Sequence, residues 1–118
     1  MNNISADIHR AKDLEKISDF YGIESQKLIA VEEMAELTQA ISKLNRARTV
    51  GEITDAWDNF LEEIADVQVM IWQLRMFVDD KEVLERVDQK IDRQLAKIKE
   101  RKAICGEDYT KDEYAEVD

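Results

Sequence analysis

The sequence predicts an all-α protein, a four-helix bundle that contains an antiparallel pair of helices. Apolar residues recur at steps of three and four along four segments, which is the spacing of one helix face. The 118 residues include no proline and only three glycines, so residues that break helices are scarce. No segment alternates apolar and polar residues in the way that predicts a half-buried β-strand.

The first two helices are separated by Tyr21 and Gly22. The first is predicted over residues 5–20, with Ser5 as its N-cap. The second is predicted over residues 25–46, and its apolar residues are spaced to form one stripe. We expect that stripe to be its core face: Leu28, Val31, Met34, Leu37, Ile41 and Leu44.

The third helix is predicted over residues 55–78, after a connector over 45–54 that contains Gly51. Asp79 and Glu82 resemble a capping box at the start of a fourth helix, which reaches about residue 102. We expect one domain over residues 1–104 and an acidic tail over 105–118. The expected core stripes are Phe60, Ile64, Val67, Ile71, Leu74 and Val78 on the third helix, and Val83, Val87, Ile91, Leu95 and Ile98 on the fourth.

Charge and composition exclude several classes of function. The formal net charge is −10, and an acidic surface disfavours binding of a nucleic-acid backbone. No apolar run approaches the roughly 20 residues that cross a membrane. We expect no signal peptide, because no basic segment precedes an apolar one. The single cysteine, Cys105, fits a reducing compartment, so a cytoplasmic protein is expected.

Two acidic clusters suggest chemistry. Glu33 and Glu36 lie three residues apart on the second helix, as do Glu63 and Asp66 on the third, and residues three apart share a helix face. Each pair lies at the shoulder of its apolar stripe. Four carboxylates that converge between antiparallel helices repel one another unless a proton or a hard cation intervenes. The spacing therefore suggests a magnesium site, and magnesium suggests a phosphate substrate.

The bipartite pattern, Glu32-Glu33-x-x-Glu36 followed by Glu63-x-x-Asp66, resembles that of the MazG-like all-α nucleoside triphosphate pyrophosphohydrolases. The resemblance covers roughly residues 23–100. It implies hydrolysis of a nucleoside triphosphate to a monophosphate and pyrophosphate with Mg²⁺, for which Mn²⁺ is an expected substitute. By matching position it implies four metal ligands, Glu33, Glu36, Glu63 and Asp66. Glu32 would be the catalytic residue that orients or deprotonates the attacking water.

Substrate contacts are expected from cations and an aromatic residue. Lys90, Arg93 and Lys97 share one face of the fourth helix, where they would hold phosphates. Lys43, seven residues after Glu36 on a nearby face, is a further expected phosphate ligand, and Trp57 could stack on a base. The chain lacks the asparagine-tyrosine pair that some relatives carry near the end of the fourth helix, so the base and the sugar stay open.

Two alternatives have a different chemistry. A di-iron carboxylate bundle uses Glu-x-x-His pairs, and no histidine follows these glutamates by three residues; the sole histidine is His9. A non-catalytic helical interaction module would carry the acids, including Glu62, as ordinary surface charges. Under the enzymatic interpretation we expect a homodimer or a dimer of dimers, because Val69 and Met70 extend the apolar surface of the third helix to a second side.

Overall fold

A computed structural model describes residues 4–105, with side chains from residue 9 onward, and these residues confirm the all-α prediction. They form α1 (Ile4–Arg46), α2 (Val50–Arg75) and α3 (Asp80–Cys105), with no β-strand among them. The predicted acidic tail beyond Cys105 and the predicted capping side chain of Ser5 lie outside the described residues. The four-helix bundle stays a prediction, because the described chain shows three helices.

Gly22 explains why the first two predicted helices form one element. Its φ of 75° and ψ of 165° interrupt α1, and this backbone region is accessible essentially only to glycine. Helical structure resumes immediately after Gly22 instead of at residue 25. The break was therefore predicted at the right position, whereas the gap after it was predicted too long.

The connection between α1 and α2 is also shorter than predicted, because two caps define it. The side chain of Thr49 accepts a hydrogen bond from the backbone N–H of Glu52 at 3.1 Å. The Glu52 carboxylate in turn accepts one from the N–H of Arg48 at 3.0 Å. This arrangement resembles a capping box, although the carboxylate binds the N–H of the residue before the N-cap, and it starts α2 at Val50. Gly51 consequently lies inside the helix.

The end of α1 is capped by the same short segment. The guanidinium of Arg48 donates to the carbonyl oxygens of Asn45 and Ala47 at 3.0 and 3.1 Å. Carbonyl groups at a helix C-terminus lack partners in the helix, so a cationic donor stabilises them. Three residues then reverse the chain, and α1 and α2 form an antiparallel hairpin.

The hairpin core is small and differs from the predicted stripes. Leu37 and Leu44 on α1, and Phe60, Val67 and Leu74 on α2, are half-buried. The other members of both predicted core stripes are exposed: Leu28, Val31, Met34, Ile41, Ile64, Ile71 and Val78. Those residues lie beside the helix contact, because the buried positions belong to another set: Ser18, Gln26, Ala30 and Ala40 on α1, and Ala56, Met70 and Gln73 on α2.

The segment of α1 before Gly22 packs against the last part of α2. The Nε2 of Gln73, which is fully buried, donates to the carbonyl of Leu14 at 3.1 Å. The guanidinium of Arg10 lies 5.9 Å from the ring centroid of Trp72, a distance at which a cation and an aromatic face attract each other. Ser18 is buried in the same part of the hairpin.

The end of α2 was predicted three residues too late. The N–H groups of Met76, Phe77 and Val78 each bond to a carbonyl three residues earlier, which tightens the last turn. Val78 therefore lies in this turn. α3 begins immediately after Asp79, the position that the predicted capping box requires.

The chain divides into two compact units, Met1–Asp79 and Asp80–Asp118. The first contains the hairpin and the second contains α3. No described residue of α3 is buried, and its apolar stripe is exposed from Val87 to Ile98. The single domain over residues 1–104 stays a prediction. Across residues 4–105, no helix is both long enough and apolar enough to cross a membrane.

The two described glycines give a matched test of the break in α1. An added Cβ meets no atom within 4 Å at Gly22 or at Gly51, so each substitution reports the backbone alone. We expect Gly22→Ala to lower the free energy of unfolding by about 1–3 kcal/mol. Gly51→Ala should raise it by about 0.5–1 kcal/mol, because alanine favours the helix. Urea unfolding at one protein concentration measures both, and equal effects would contradict the assignment.

Candidate metal centre

Carboxylates from both helices of the hairpin converge. One oxygen each from Glu33 and Glu36 on α1 and from Glu63 on α2 lie within 4.8 Å of one another. Asp66, the fourth acid of the predicted set, is close enough to hydrogen-bond with Glu33 and to raise its pKa. The structure therefore brings together all four acids that the sequence singled out.

Glu33 and Glu63 point into the contact between the helices. Both side chains are half-buried, and the Oε2 atom of each is buried with no hydrogen-bond partner. The sequence analysis placed these glutamates at the edge of the apolar stripe. The structure instead places both at inward positions of their helices. A buried carboxylate oxygen without a donor is costly, and a proton or a cation would satisfy it.

The two arms of the hairpin are related by a shift of 30 residues. Glu33 corresponds to Glu63 and Glu36 corresponds to Asp66, and the burial pattern repeats over residues 31–40 and 61–70. Across the helices, Glu33 lies within hydrogen-bonding reach of Asp66, and Glu63 within reach of Glu36. The shift of 30 residues that relates the arms also relates the pair Glu33–Asp66 to the pair Glu63–Glu36. The site is therefore an approximate two-fold arrangement, with one inward and one outer acid in each pair.

Burial and mutual repulsion raise two pKa values. Loss of hydration raises the pKa of Glu33 above its ordinary value of 4.5, and the charges of Asp66, Glu36 and Glu63 raise it further. The pKa of Glu63 rises for the same reasons, first from burial and then from Glu36 and Asp66. A hydrogen bond between two carboxyls requires one proton. Glu33 and Glu63 are therefore the acids whose protonated form the site favours when no cation is bound.

The donor set fits a hard divalent cation. Carboxylate oxygens are the ligands that Mg²⁺ prefers, and opposite ligands in its shell lie roughly 4.2 Å apart. The three closest oxygens span up to 4.8 Å, so small side-chain movements would complete such a shell. The two buried oxygens without partners are the groups that an ion would satisfy. Among the described residues no histidine or cysteine joins this group, which disfavours a zinc site.

A cleft of about 410 Å³ lies near the acids, towards the connection between the helices. Lys43 lies seven residues beyond Glu36, and Asn59 lies one turn before Glu63, so these residues bound the cleft roughly 6–10 Å along the helices from the acids. The lining also contains Arg46, Ala47, Glu52, Asp55 and Ala56.

The sequence analysis missed most of this cleft. Arg46, Asp55 and Asn59 were not singled out, because the predicted connector over 45–54 separated them in the chain. Their spacing was the signal that could have found them: Arg46 lies three residues after Lys43, and Asp55, Asn59 and Glu63 follow one another at steps of four.

The remaining predicted residues of the hairpin lie outside the cluster. Glu32 and Glu62 are exposed next to Glu33 and Glu63, and the charge of Glu62 contributes to the raised pKa of Glu63. Trp57 packs against Phe60 with ring centroids 5.6 Å apart. It lies on the flank of α2 away from Asp66 and does not line the cleft.

The predicted phosphate ligands of α3 form a patch within the second unit. Lys90 and Arg93 line a cleft of about 220 Å³ with Arg86 and Gln89. Arg86 is held by Glu82 in an ion pair of 2.8 Å. Lys97, one turn beyond Arg93, is half-buried. The three predicted residues thus share the helix face on which the sequence placed them.

No protein-family model, curated protein or solved structure matches the chain. The resemblance to the MazG-like pyrophosphohydrolases therefore stays a prediction, which rests on the bipartite acidic motif.

The raised pKa values predict how stability depends on pH. In the unfolded chain Glu33 and Glu63 have their ordinary pKa of 4.5, and in the folded chain both pKa values are higher. Between the ordinary and the raised pKa values, the folded chain therefore binds more protons than the unfolded chain. Stability without divalent cations should then fall as pH rises from about 4.5 through that range. Urea unfolding in EDTA measures it.

The matched variants are Glu63→Gln and Glu32→Gln. Each removes one carboxylate charge, the first from an inward position and the second from an exposed position outside the two pairs. Glu63→Gln should flatten the fall in stability, whereas Glu32→Gln should leave it unchanged because Glu32 is exposed. The same pH profile in all three proteins would show that the inward carboxyls do not repel each other as described.

Proposed function

We propose that the protein is a Mg²⁺-dependent nucleoside triphosphate pyrophosphohydrolase of the MazG-like kind. It would convert a ribo- or deoxyribonucleoside triphosphate and water to the monophosphate and pyrophosphate, and so control a nucleotide pool. One observation supports this above all others: oxygens of three acids from two helices lie within 4.8 Å of one another with Asp66 beside them, and two of these side chains each have an oxygen that is buried without a donor. Such a cluster is costly for a folded chain unless a cation uses it.

The four acids hold the ion in this proposal. Glu33 and Glu63 would ligate from the inward positions, and Glu36 and Asp66 from the outer positions of each pair. When bound, Mg²⁺, or Mn²⁺ in its place, neutralises phosphate charge and lowers the pKa of a coordinated water. Glu32, exposed beside Glu33, would orient or deprotonate the attacking water.

The cleft beside the acids is the proposed place for the rest of the substrate. Lys43 and Arg46 supply positive charge there, and Asn59 supplies an amide that both donates and accepts hydrogen bonds. Lys43 would contact a phosphate. Lys90, Arg93 and Lys97 would supply further phosphate contacts, since an arginine fork matches phosphate oxygens and a lysine adds a point charge. Trp57 remains a predicted stacking residue for the base.

We also propose a cytoplasmic homo-oligomer, a homodimer or a dimer of dimers, that completes the four-helix bundle. Cys105 is free, as a reducing compartment favours. The hairpin exposes many large apolar side chains, which a single chain rarely leaves in water. This exposure also supports the alternative, a non-catalytic interaction module whose acids serve no chemistry.

Catalysis is tested by pyrophosphate release from a panel of nucleoside triphosphates with Mg²⁺. Asp66→Asn removes the charge of one proposed metal ligand and should lower turnover by at least about a hundredfold. Residues that only hydrogen-bond to a metal ligand already cost roughly 10–100-fold when they are replaced, so the loss of a ligand should cost more. Asp58→Asn makes the same change at an exposed acid of α2 outside the site and should leave turnover unchanged. Equal turnover in both variants would remove the site from the proposal.

Magnesium titration separates the enzyme from the interaction module. An ion that binds only the folded cluster should stabilise the chain by about 2.7 kcal/mol at one hundred times its dissociation constant. The shift in thermal midpoint with Mg²⁺ should disappear in Glu33→Gln. A chain that shows no shift in either form would favour the module.

A further inference from the structure

A fully buried glutamine joins the end of α2 to the first part of α1. The Nε2 of Gln73 donates to the carbonyl of Leu14 at 3.1 Å, so the bond connects α2 with the segment of α1 before Gly22. Within residues 9–21, only Leu14 and Ser18 are not exposed, and they lie one turn apart on one face. The segment thus shields few apolar side chains, and the bond from Gln73 provides an attachment that apolar packing does not.

A second buried glutamine faces the first across the hairpin. Glu33 lies beside Asp66, and because the helices are antiparallel, a step back along α1 from there matches a step forward along α2. Seven residues in these directions lead to Gln26 and Gln73. Both are buried, and both lie roughly 10 Å from the acids on the side away from the connector. A layer of two amides therefore lies at the open end of the hairpin, the end opposite the connector.

The polar atoms around this layer are not all satisfied. In the part of the chain that the structure describes, four buried side-chain oxygens have no hydrogen-bond partner. Two belong to the inward acids, and the other two are the Oγ of Ser18 and the Oε1 of Gln73. Burial of an unpaired polar atom costs free energy, so stability alone would favour an apolar residue at position 73. A polar residue in such a place can instead specify one arrangement of the helices.

The acids have to be held from both ends because they repel one another. The connector lies about 20 Å from them, thirteen residues after Glu36 on α1 and thirteen before Glu63 on α2. Two helices joined there alone would separate at the open end, since the repulsion acts beyond the joint. Between the acids and the amides, the buried residues are Ala30 and Met70, and alanine buries little apolar area. The amide layer is thus placed to oppose the separation.

We propose that Gln73 is a positioning residue for the acidic cluster. With Gln26 and the segment before Gly22, it closes the open end of the hairpin and keeps the four acids together against their repulsion. The inference rests on the proposed function, because it concerns the same acids, and it adds a residue that contacts neither the cation nor the substrate. A preformed site binds an ion more tightly than a site that the ion has to assemble.

Binding of Mn²⁺ alone tests this role with matched variants. Gln73→Met removes the amide and keeps an unbranched side chain. Met70→Leu alters a buried residue one turn nearer to the acids and removes no hydrogen bond. Gln73→Met should weaken Mn²⁺ binding roughly 10–100-fold, as the loss of groups that support a metal ligand does. Met70→Leu should bind like the parent chain, because such a swap is well tolerated.

The EPR signal of free Mn²⁺ measures the affinity at alkaline pH, where the acids are ionised, and circular dichroism establishes that each protein is folded. A residue that only stabilised the fold would leave the affinity of the folded protein unchanged. Equal Mn²⁺ affinity in folded Gln73→Met and in the parent chain would therefore overturn the inference.

A double-mutant cycle in EDTA tests the same role without a metal. Glu63→Gln removes one inward charge and should raise the urea midpoint of the parent chain at alkaline pH. In the Gln73→Met background the rise should be smaller, because the acids are already free to move apart. Glu63 and Gln73 are ten positions apart on α2, or about 15 Å, and residues at that distance otherwise have additive effects. Equal rises in the two backgrounds would contradict the role of Gln73.

Hydrogen exchange of the parent chain in EDTA needs no variant, so it applies even where Gln73→Met fails to fold. The backbone amides around Gln73 should be protected as well as those around Ala56, near the connector, because both ends of the hairpin are closed. Much faster exchange around Gln73 would show that the open end separates without a cation, and the inference would be wrong.

The outcomes distinguish this inference from the proposed reaction. A chain that binds Mn²⁺ and releases no pyrophosphate rejects the reaction and leaves the positioning role standing. A chain that releases pyrophosphate, and in which Gln73→Met binds Mn²⁺ normally, rejects only the role of Gln73. A parent chain that binds no Mn²⁺ rejects the proposed metal site, and the cycle in EDTA then decides whether Gln73 holds the acids together.

Discussion

The hairpin depends on one constraint: its two helices pack through positions that two glutamates occupy. Glu33 and Glu63 are the acids of an inward face that otherwise consists of alanine, leucine, valine, phenylalanine, methionine and the buried glutamines Gln26 and Gln73. Small residues such as Ala30 and Ala56 bring the helices close, and that closeness both partly buries the carboxylates and makes them repel one another. A chain selected for stability alone would place leucine at these two positions. The core has therefore been weakened at the place where chemistry is proposed.

This constraint organises the rest of the hairpin. The connector begins α2 early, with Thr49 and Glu52 as caps, and so sets the register in which Glu33 meets Asp66 and Glu36 meets Glu63. The outer acids and the cleft share one side, while the large apolar residues lie on the other. Large apolar residues beside the helix contact remain exposed and so are available to a partner. The acidic site and the proposed assembly thus both depend on how α1 and α2 pack against each other.

Much of this could be predicted from local patterns. Steps of three and four identified every helical segment, and glycine at residue 22 marked the break in α1 because few other residues adopt its backbone angles. The i, i+3 spacing placed Glu33 with Glu36 and Glu63 with Asp66. The core was predicted less well: Leu28 and Val31 belong to an apolar stripe, but they are exposed. Periodicity shows that a helix has an apolar side, and it does not show which partner covers that side.

Sequence alone was enough for the helices, the break at Gly22 and the identity of the acids, because backbone preferences and side-chain chemistry act within a few residues. Only the packed hairpin decided that the carboxylates face inward, that they pair across the helices and that Arg46, Asp55 and Asn59 share a cleft with Lys43. Those features depend on the length of the connector and on the register of the two helices. Both bring together residues that lie far apart along the chain.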